Sequence, residues 1–577
     1  MGFMSSTLPL PKGAVHLPTL NPLDATWGVL WLVTAVALFG TGLNRKVMNL
    51  LVGANLLVAL YTLAETVRAP HADAARINWI RAVVAGLAFL AVLRERWRAA
   101  RDSDEERYLL AVYVGAAALG VLCFLNLGRP QFFDAGKGKP TYLHHYDMRT
   151  YYLIAKYLPE LRFDGVYVAS AQAVADERGR EGLLNVRLRD LRNHQMTKFG
   201  DVLDHADEVR ARFSEEQWQS FRTDAAYFRR AMGDGDFLKS MRDHGGNATP
   251  VWFLLAWVLF RGPPASDGAL WSGVWLDMLL LLLAFAALWR AFGLRTMLVG
   301  ATLFGAMDFY QFGTNWFGAA MRHDWLALWA LSLWALQSSR SFTAGALLAW
   351  STLIRAFPAL AFVTLTVPHV WIAVRTRSLS LKPHAALLRT AAGAVVTGLP
   401  LVVLSGLAFG FHIWVEWFDK VSRLNADHIN NLALHTWVAN DKLGYPLAAL
   451  ACLAAIVYAL RHQKAPQAAA YGVVVLPVVF NPANYYLHAV FLLAVLGLES
   501  SVVWLALLAM CGGSYLTSFT TDIGQHFRYD TYVLLAALAV VVGVGVRSKP
   551  KDVPDSKARE FVGGARDPSE RRPPEGR

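Results

Sequence analysis

Polar side chains that could carry out chemistry are concentrated in the stretch YLHHYDMRTYY, residues 142–152, directly after a long apolar segment. On a helix, His144, Asp147 and Tyr151 fall on one face, because positions three and four apart are neighbours there. A carboxylate in that place is suited to act as a general base toward a hydroxyl group. Two other interpretations stay open: a two-ligand metal site of His144 and Asp147, and a solvated helix in which Asp147 and Arg149 only pair with each other.

Two arginines further along the chain are suited to binding a phosphate. Arg322 lies in MRHDW, where an apolar segment begins, and Arg355 lies in LIRAFP, between two apolar runs. Pro358 should break the helix there and free backbone carbonyls. A guanidinium near the membrane boundary can hold a phosphate through paired hydrogen bonds. The alternatives are an Arg322–Asp324 pair that anchors a helix end, and an Arg355 side chain that only extends toward the membrane surface.

Other candidate residues are polar groups that flank apolar segments, where they can bind a polar ligand or serve as ordinary loop residues and helix caps. They are His145, Asp243, His244 and Asn247 in the long polar segment 129–249, Lys420, Arg423, Asn425 and His428 in the segment 410–444, and Asn484 and His488 in NPANYYLH.

The elements that must position these residues are membrane helices. Of the 577 residues, 55% are hydrophobic and 17% are charged, whereas a soluble protein has about 25% charged residues. About fifteen apolar windows approach the length of about 18 residues that crosses a hydrocarbon core. The net charge of +12 does not require nucleic acid as a partner, because Lys and Arg collect in the cytoplasmic loops of membrane proteins. We therefore predict an all-α, multi-pass membrane protein of about fifteen transmembrane helices.

The basic loops also predict orientation and organisation. Placing them in the cytoplasm puts the N-terminus and the 129–249 loop outside the plasma (inner) membrane and the C-terminus inside. We divide the chain into a three-span module at 1–107, a membrane core at 108–546 and a disordered cytoplasmic tail at 547–577. The outer loop has apolar residues at helical spacing among dense charge, so it should be mostly helical, with Ser214 capping one helix.

These segments together resemble the GT-C superfamily of membrane glycosyltransferases, and most closely bacterial glycosyltransferase family 87 and its mannosyltransferase-like relatives. The resemblance lies in an Asp near an aromatic run after a span (Asp147, with Gly165-Val-Tyr167 following), in LIRAFP, in the outer loop around INNLAL and in NPANYYLH, within residues 108–530. The chain departs from the pattern because the Asp follows the fourth predicted span, not the first. Its first outer loop is also long and ends in RDHGGNATPVW, where a Pro-Pro stretch is often found.

The resemblance implies a polyprenyl-phosphate sugar as donor, Asp147 as catalytic base and a glycan, lipid or protein as acceptor. It implies no cofactor, and a divalent metal stays open. The donor phosphate and lipid would be held by Arg322, Arg355, Lys420, Arg423, Asn425, His428, Asn484 and His488. The sugar or acceptor would lie near His144, His145, Arg149 and Tyr151. Asp243, His244 and Asn247, which the family pattern does not include, are further candidates for the acceptor site.

Three other classes of function compete with this one. A polymerase or ligase of envelope polysaccharide would also take lipid-linked sugars at an outer loop. A transporter would place ionisable residues along a path near the bilayer midplane, often in inverted repeats. A non-catalytic membrane protein would use residues 168–241 as a docking loop. The gathering of polar residues at one side of the membrane favours a glycosyltransferase.

Overall fold

The structure is a computed structural model that describes residues 74–97, 103–307, 317–377, 380–423, 430–438, 443–520 and 523–548, with isolated positions between 47 and 64. The predicted span nearest the N-terminus and nearly all of the predicted tail lie outside these residues. Asn425 and His428, two of the predicted phosphate-site residues, also lie outside them.

Apolar helices dominate the described residues. Six are long and apolar enough to cross a membrane: five fall within the helices Ala74–Trp97, Ser103–Phe124, Asp267–Phe292, Ala359–Thr376 and Ile523–Arg547, and the sixth, Lys382–Phe409, joins a 3₁₀ turn to helix Ala385–Phe409. Shorter apolar helices are Pro250–Phe260, Leu294–Ala306, Ser341–Ile354, Gly444–Leu460, Ala465–Val479, Asn484–Leu498 and Ser501–Tyr515, and Asp324–Gln337 adds another. The predicted helical class is confirmed, but the count of about fifteen spans is not. One reason is that some apolar windows form short or irregular helices, such as the 3₁₀ helix Asn484–Leu498.

The polar segment 129–249 folds into short helices and two hairpins. Its α-helices are His145–Lys156, Leu158–Leu161, Val166–Arg178, Leu203–Ala211, Glu215–Met232 and Asp234–Ser240. Strands Phe132–Asp134 and Lys139–Thr141 form one antiparallel hairpin, and strands Arg187–Asp190 and Gln195–Lys198 form the other. The predicted cap is confirmed, because the Ser214 hydroxyl accepts a hydrogen bond from the Gln217 backbone N–H at 3.2 Å.

A buried carboxylate ties the 129–249 segment to the residues just before helix Asp267–Phe292. Asp224, on the helix Glu215–Met232, accepts hydrogen bonds from the Tyr157 hydroxyl and from the Ala265 backbone N–H, both at 2.7 Å. The Lys156 ammonium lies 2.8 Å from the same carboxylate. A buried charge with this many partners is stabilised, so helix His145–Lys156 is held firmly against its surroundings.

The chain breaks at LIRAFP as predicted. Helix Ser341–Ile354 ends before Arg355, which has an extended backbone, and the next helix begins at Ala359, directly after Pro358. The break removes Arg355 from a regular helix and leaves it at a junction between two apolar elements.

Candidate active site

The predicted base and one predicted phosphate ligand contact each other. The Arg322 guanidinium lies 3.2 Å from the Asp147 carboxylate, and the two side chains retain 9% and 17% of their exposure. Asp147 lies in the first turn of helix His145–Lys156. Arg322 precedes helix Asp324–Gln337 and also lies 5.2 Å from the centre of the Tyr485 ring. The pair therefore joins three segments that are far apart in sequence, and Arg322 turns toward Asp147 instead of its neighbour Asp324.

The second predicted phosphate ligand lies beside the same helix. The Arg355 guanidinium is 5.8 Å from the centre of the Tyr151 ring, and Tyr151 is one helical turn beyond Asp147. Arg355 is 8% exposed, and its Nη1 has no hydrogen-bond partner among the described residues. A buried guanidinium N–H without an acceptor is costly, so this nitrogen is suited to an anionic oxygen brought by a ligand.

The adjacent residues His144 and His145 belong to different surroundings, because the helix begins between them. His144 is buried close to Asp147 and Arg322. The pKa of its imidazole is lowered to about 4, chiefly by burial, with the Asp147 carboxylate acting in the opposite direction and Arg322 contributing to the lowering. His144 is thus neutral at neutral pH and can offer the site a hydrogen-bonding group but no positive charge.

His145 joins an ion-pair cluster that can be compared with a metal site. Ligand atoms of Asp134, His145 and Asp267 lie within 4.8 Å of one another. The Lys137 ammonium, however, lies 3.0 Å from the Asp134 carboxylate and 2.7 Å from that of Asp267. The Tyr227 hydroxyl donates to Asp267 at 2.8 Å. Since a lysine already occupies the space between the carboxylates, we interpret the cluster as a salt bridge that fixes the hairpin to the helices. His144 and Asp147, which the sequence offered as two metal ligands, are not members of this cluster.

Arg149 and Asp243 lie on the outer-loop side of Asp147. Arg149 is fully buried, with its guanidinium 5.0 Å from the Tyr167 ring and 4.9 Å from the Phe237 ring. The pKa of the Asp243 carboxyl is raised, chiefly because it lies deep among protein atoms and also because of the Asp147 carboxylate. The Asp243 side chain is nevertheless accessible to solvent. The interpretation that Asp147 and Arg149 pair only with each other is wrong, because Asp147 pairs with Arg322.

Two predicted phosphate ligands contact the outer loop instead. The buried Lys420 ammonium donates to the carbonyls of Gly246 at 2.9 Å and Phe163 at 3.3 Å, and burial lowers its pKa to about 7. The exposed Arg423 pairs with Asp419 at 2.7 Å and donates to a carbonyl of the outer loop. Both cations are engaged by protein groups, so the structure assigns them to fastening the amphipathic helix His412–Arg423.

The remaining predicted residues have structural contacts. The Asn484 side-chain oxygen Oδ1 accepts from the Asn430 side-chain amide at 3.0 Å. His488 is fully buried, and its Nε2 lies 2.8 Å from the Phe304 carbonyl oxygen. The Asn247 backbone carbonyl accepts from a tryptophan indole at 3.3 Å, and the His244 ring lies 5.6 Å from that of His194.

Asp277 supports the site, and it was not among the residues predicted from the sequence. It accepts a hydrogen bond from the backbone N–H of His323, the residue after Arg322, at 2.6 Å, and its other oxygen lies 2.7 Å from His323 Nδ1. The available signal was an aspartate inside the apolar run GVWLDMLLLLL, since ionisable residues within membrane segments are functional candidates.

The site thus has one carboxylate and two guanidinium groups among aromatic rings. These groups belong to Asp147, Arg322, Arg355, Tyr151 and Tyr485. This combination is suited to taking a proton from a hydroxyl while binding a phosphate. Comparisons with protein-family models, with curated proteins and with solved structures find no match for this chain.

Proposed function

We propose that this chain is a membrane glycosyltransferase of the GT-C type, which moves a sugar from a polyprenyl-phosphate donor to a hydroxyl group of a glycan, lipid or protein. The observation that supports the proposal most directly is the meeting of Asp147 with Arg322, beside Arg355, from three distant parts of the chain. A carboxylate next to two guanidinium groups meets the needs of a reaction that removes a proton and releases a phosphate.

In the proposed reaction, the acceptor hydroxyl oxygen attacks the anomeric carbon and forms the new glycosidic bond. The bond between that carbon and the donor phosphate oxygen breaks, and its electron pair leaves with the polyprenyl phosphate. The acceptor proton passes to Asp147, and the guanidinium groups of Arg322 and Arg355 stabilise the departing phosphate. A single displacement inverts the configuration at the anomeric carbon.

The Asp147–Arg322 pair implies that the donor binds before the acceptor reacts. While Arg322 is bound to Asp147, the carboxylate is engaged by a cation at 3.2 Å. A donor phosphate attracts the same guanidinium, and two charge-assisted hydrogen bonds to phosphate compete well with one contact to a carboxylate. Donor binding would therefore release Asp147 to accept the proton of the second substrate.

We propose that the site faces the outside of the plasma membrane. Single cysteines introduced by Glu215→Cys, where the native side chain is 80% exposed, and by Lys464→Cys, in a predicted cytoplasmic loop, test this orientation. A membrane-impermeant thiol reagent should label the first in intact cells and the second only after lysis. The reverse labelling would overturn the orientation.

The direct test of the function is transfer by the purified protein in lipid nanodiscs. It is supplied with synthetic polyprenyl-phosphate mannose or its glucose counterpart and with a membrane extract as acceptor. Release of polyprenyl phosphate together with a new glycosylated product is the expected result. Transfer of a whole lipid-linked glycan in one step would indicate a ligase, and failure to bind either donor or free polyprenyl phosphate would contradict the proposal.

A further inference from the structure

The turn before helix Asp324–Gln337 has an unusual backbone. Gly318 and Met321 both have positive φ, at 106° and 51°. The left-handed region is unfavourable for a residue with a side chain, and such residues persist where the surrounding structure holds them. Arg322 follows Met321 directly, so whatever holds this turn also sets where the Arg322 side chain begins.

Both backbone polar groups of Met321 are hydrogen-bonded to neighbouring helices, Asp267–Phe292 and Pro250–Phe260. Its N–H donates to the Gly273 carbonyl oxygen at 3.4 Å, and its carbonyl oxygen accepts from the Trp252 indole N–H at 3.3 Å. Gly273 permits the approach, because a Cβ there would collide with the Cβ of Ala320. The turn therefore rests directly on the backbone of a membrane helix.

One helical turn beyond Gly273, Asp277 holds the other side of Arg322. One carboxylate oxygen accepts from the His323 backbone N–H at 2.6 Å, and the other lies 2.7 Å from His323 Nδ1. Both residues are 0% exposed. Charge-assisted hydrogen bonds of this kind are about twice as strong as neutral ones, so Asp277 fixes His323 in both position and ring orientation.

We infer that Asp277 is a positioning residue, which acts through His323 and the 318–323 turn to aim Arg322 at Asp147 and at the donor phosphate. Burying an aspartate inside an apolar membrane helix costs free energy, so such a residue is a functional candidate. Both of its carboxylate oxygens contact His323, the residue next to Arg322. The phosphate role of Arg322 rests on the proposed function, whereas its placement against Asp147 does not depend on any substrate.

The first experiment measures binding of radiolabelled polyprenyl phosphate to the full chain in nanodiscs. Asp277→Ala should weaken binding about tenfold, as should Arg322→Gln. The double variant should bind no more weakly than Arg322→Gln alone, because residues that act through one contact are not additive. Asp277→Asn should restore most of the affinity, since an amide can still accept from the His323 N–H and donate to Nδ1. Ser272→Ala, an exposed position on the same helix, is the matched control.

The second experiment needs no donor. An Asp147→Cys/Arg322→Cys pair is treated with a short bifunctional maleimide, with and without Asp277→Ala. The crosslinking rate should fall at least severalfold when Asp277 is lost, and Gly273→Ala, which displaces the turn without removing a charge, should have the same effect. Unchanged crosslinking, or multiplied losses of affinity in the double variant, would overturn the inference. A wild-type protein that does not bind polyprenyl phosphate would overturn the proposed function, and the crosslinking result would still decide the role of Asp277.

Discussion

Replacing Asp147 by asparagine should slow sugar transfer by the purified protein about 10²- to 10⁴-fold, the usual contribution of a general base. The amide keeps the shape of the carboxylate and can still accept a hydrogen bond from Arg322, which lies 3.2 Å away. It cannot accept the proton of the attacking hydroxyl. Initial rates of product formation, measured at saturating donor, report this loss.

The matched control for this prediction is Asp204→Asn, which makes the same chemical change at an exposed position in the first turn of another outer-loop helix. It should leave both transfer and donor affinity unchanged, whereas Asp147→Asn should bind the donor at least as tightly as the wild type, because a neutral amide competes less strongly than a carboxylate for Arg322. Wild-type rates from Asp147→Asn would show that Asp147 is not the base. A requirement for His144 together with Asp147 and an added divalent metal would favour the metal-site interpretation instead.

Arg355→Ala should weaken binding of polyprenyl phosphate by about 1.5–3 kcal/mol, the typical value of a hydrogen bond to a charged group. This corresponds to about 10- to 150-fold in affinity. Arg355 is only 8% exposed, and its Nη1 has no partner among the residues that the structure describes. Arg355→Lys should retain part of the affinity, because an ammonium keeps the charge but cannot make two parallel hydrogen bonds.

Arg423→Ala serves as the control, since Arg423 is exposed and paired with Asp419. Equilibrium binding of radiolabelled polyprenyl phosphate should distinguish the two arginines clearly. If the Arg355→Ala variant binds as tightly as the wild type, the residue is structural and the phosphate is held elsewhere. An equal loss from Arg423→Ala would show that helix His412–Arg423 takes part in donor binding.

Local signals in the sequence predicted local structure well. Ser214 and Gln217 form the expected capping box. Arg355 lies in the predicted break between two helices, and the second helix begins directly after Pro358. Asp147 and Tyr151 share a face of helix His145–Lys156, as their spacing predicts, whereas His144 lies just before the first residue of that helix. In each case the residues that decide the structure lie within one or two helical turns of each other.

Long-range partners could not be predicted in the same way. Asp277 and His323 are 46 positions apart, and nothing in either segment names the other. Lys420 has the charge of a phosphate ligand, but its burial among backbone carbonyls depends on how helix His412–Arg423 packs against the outer loop. The assignment of His145 to the Lys137 cluster depended on where the helix starts, which the sequence did not determine.

The length of helix Ser341–Ile354 has a consequence for membrane thickness at this place. Its 14 residues rise about 21 Å between the exposed Arg340 and the buried Arg355, whereas a bilayer's hydrocarbon layer is about 30 Å thick. If Arg340 marks one surface, Arg355 lies about 9 Å short of the opposite boundary of an undistorted bilayer, or the bilayer thins to meet it. In the first case a lipid phosphate held by Arg355 lies nearer the midplane than the phosphates of the surrounding lipids, and in the second the surrounding lipids are drawn inward with it.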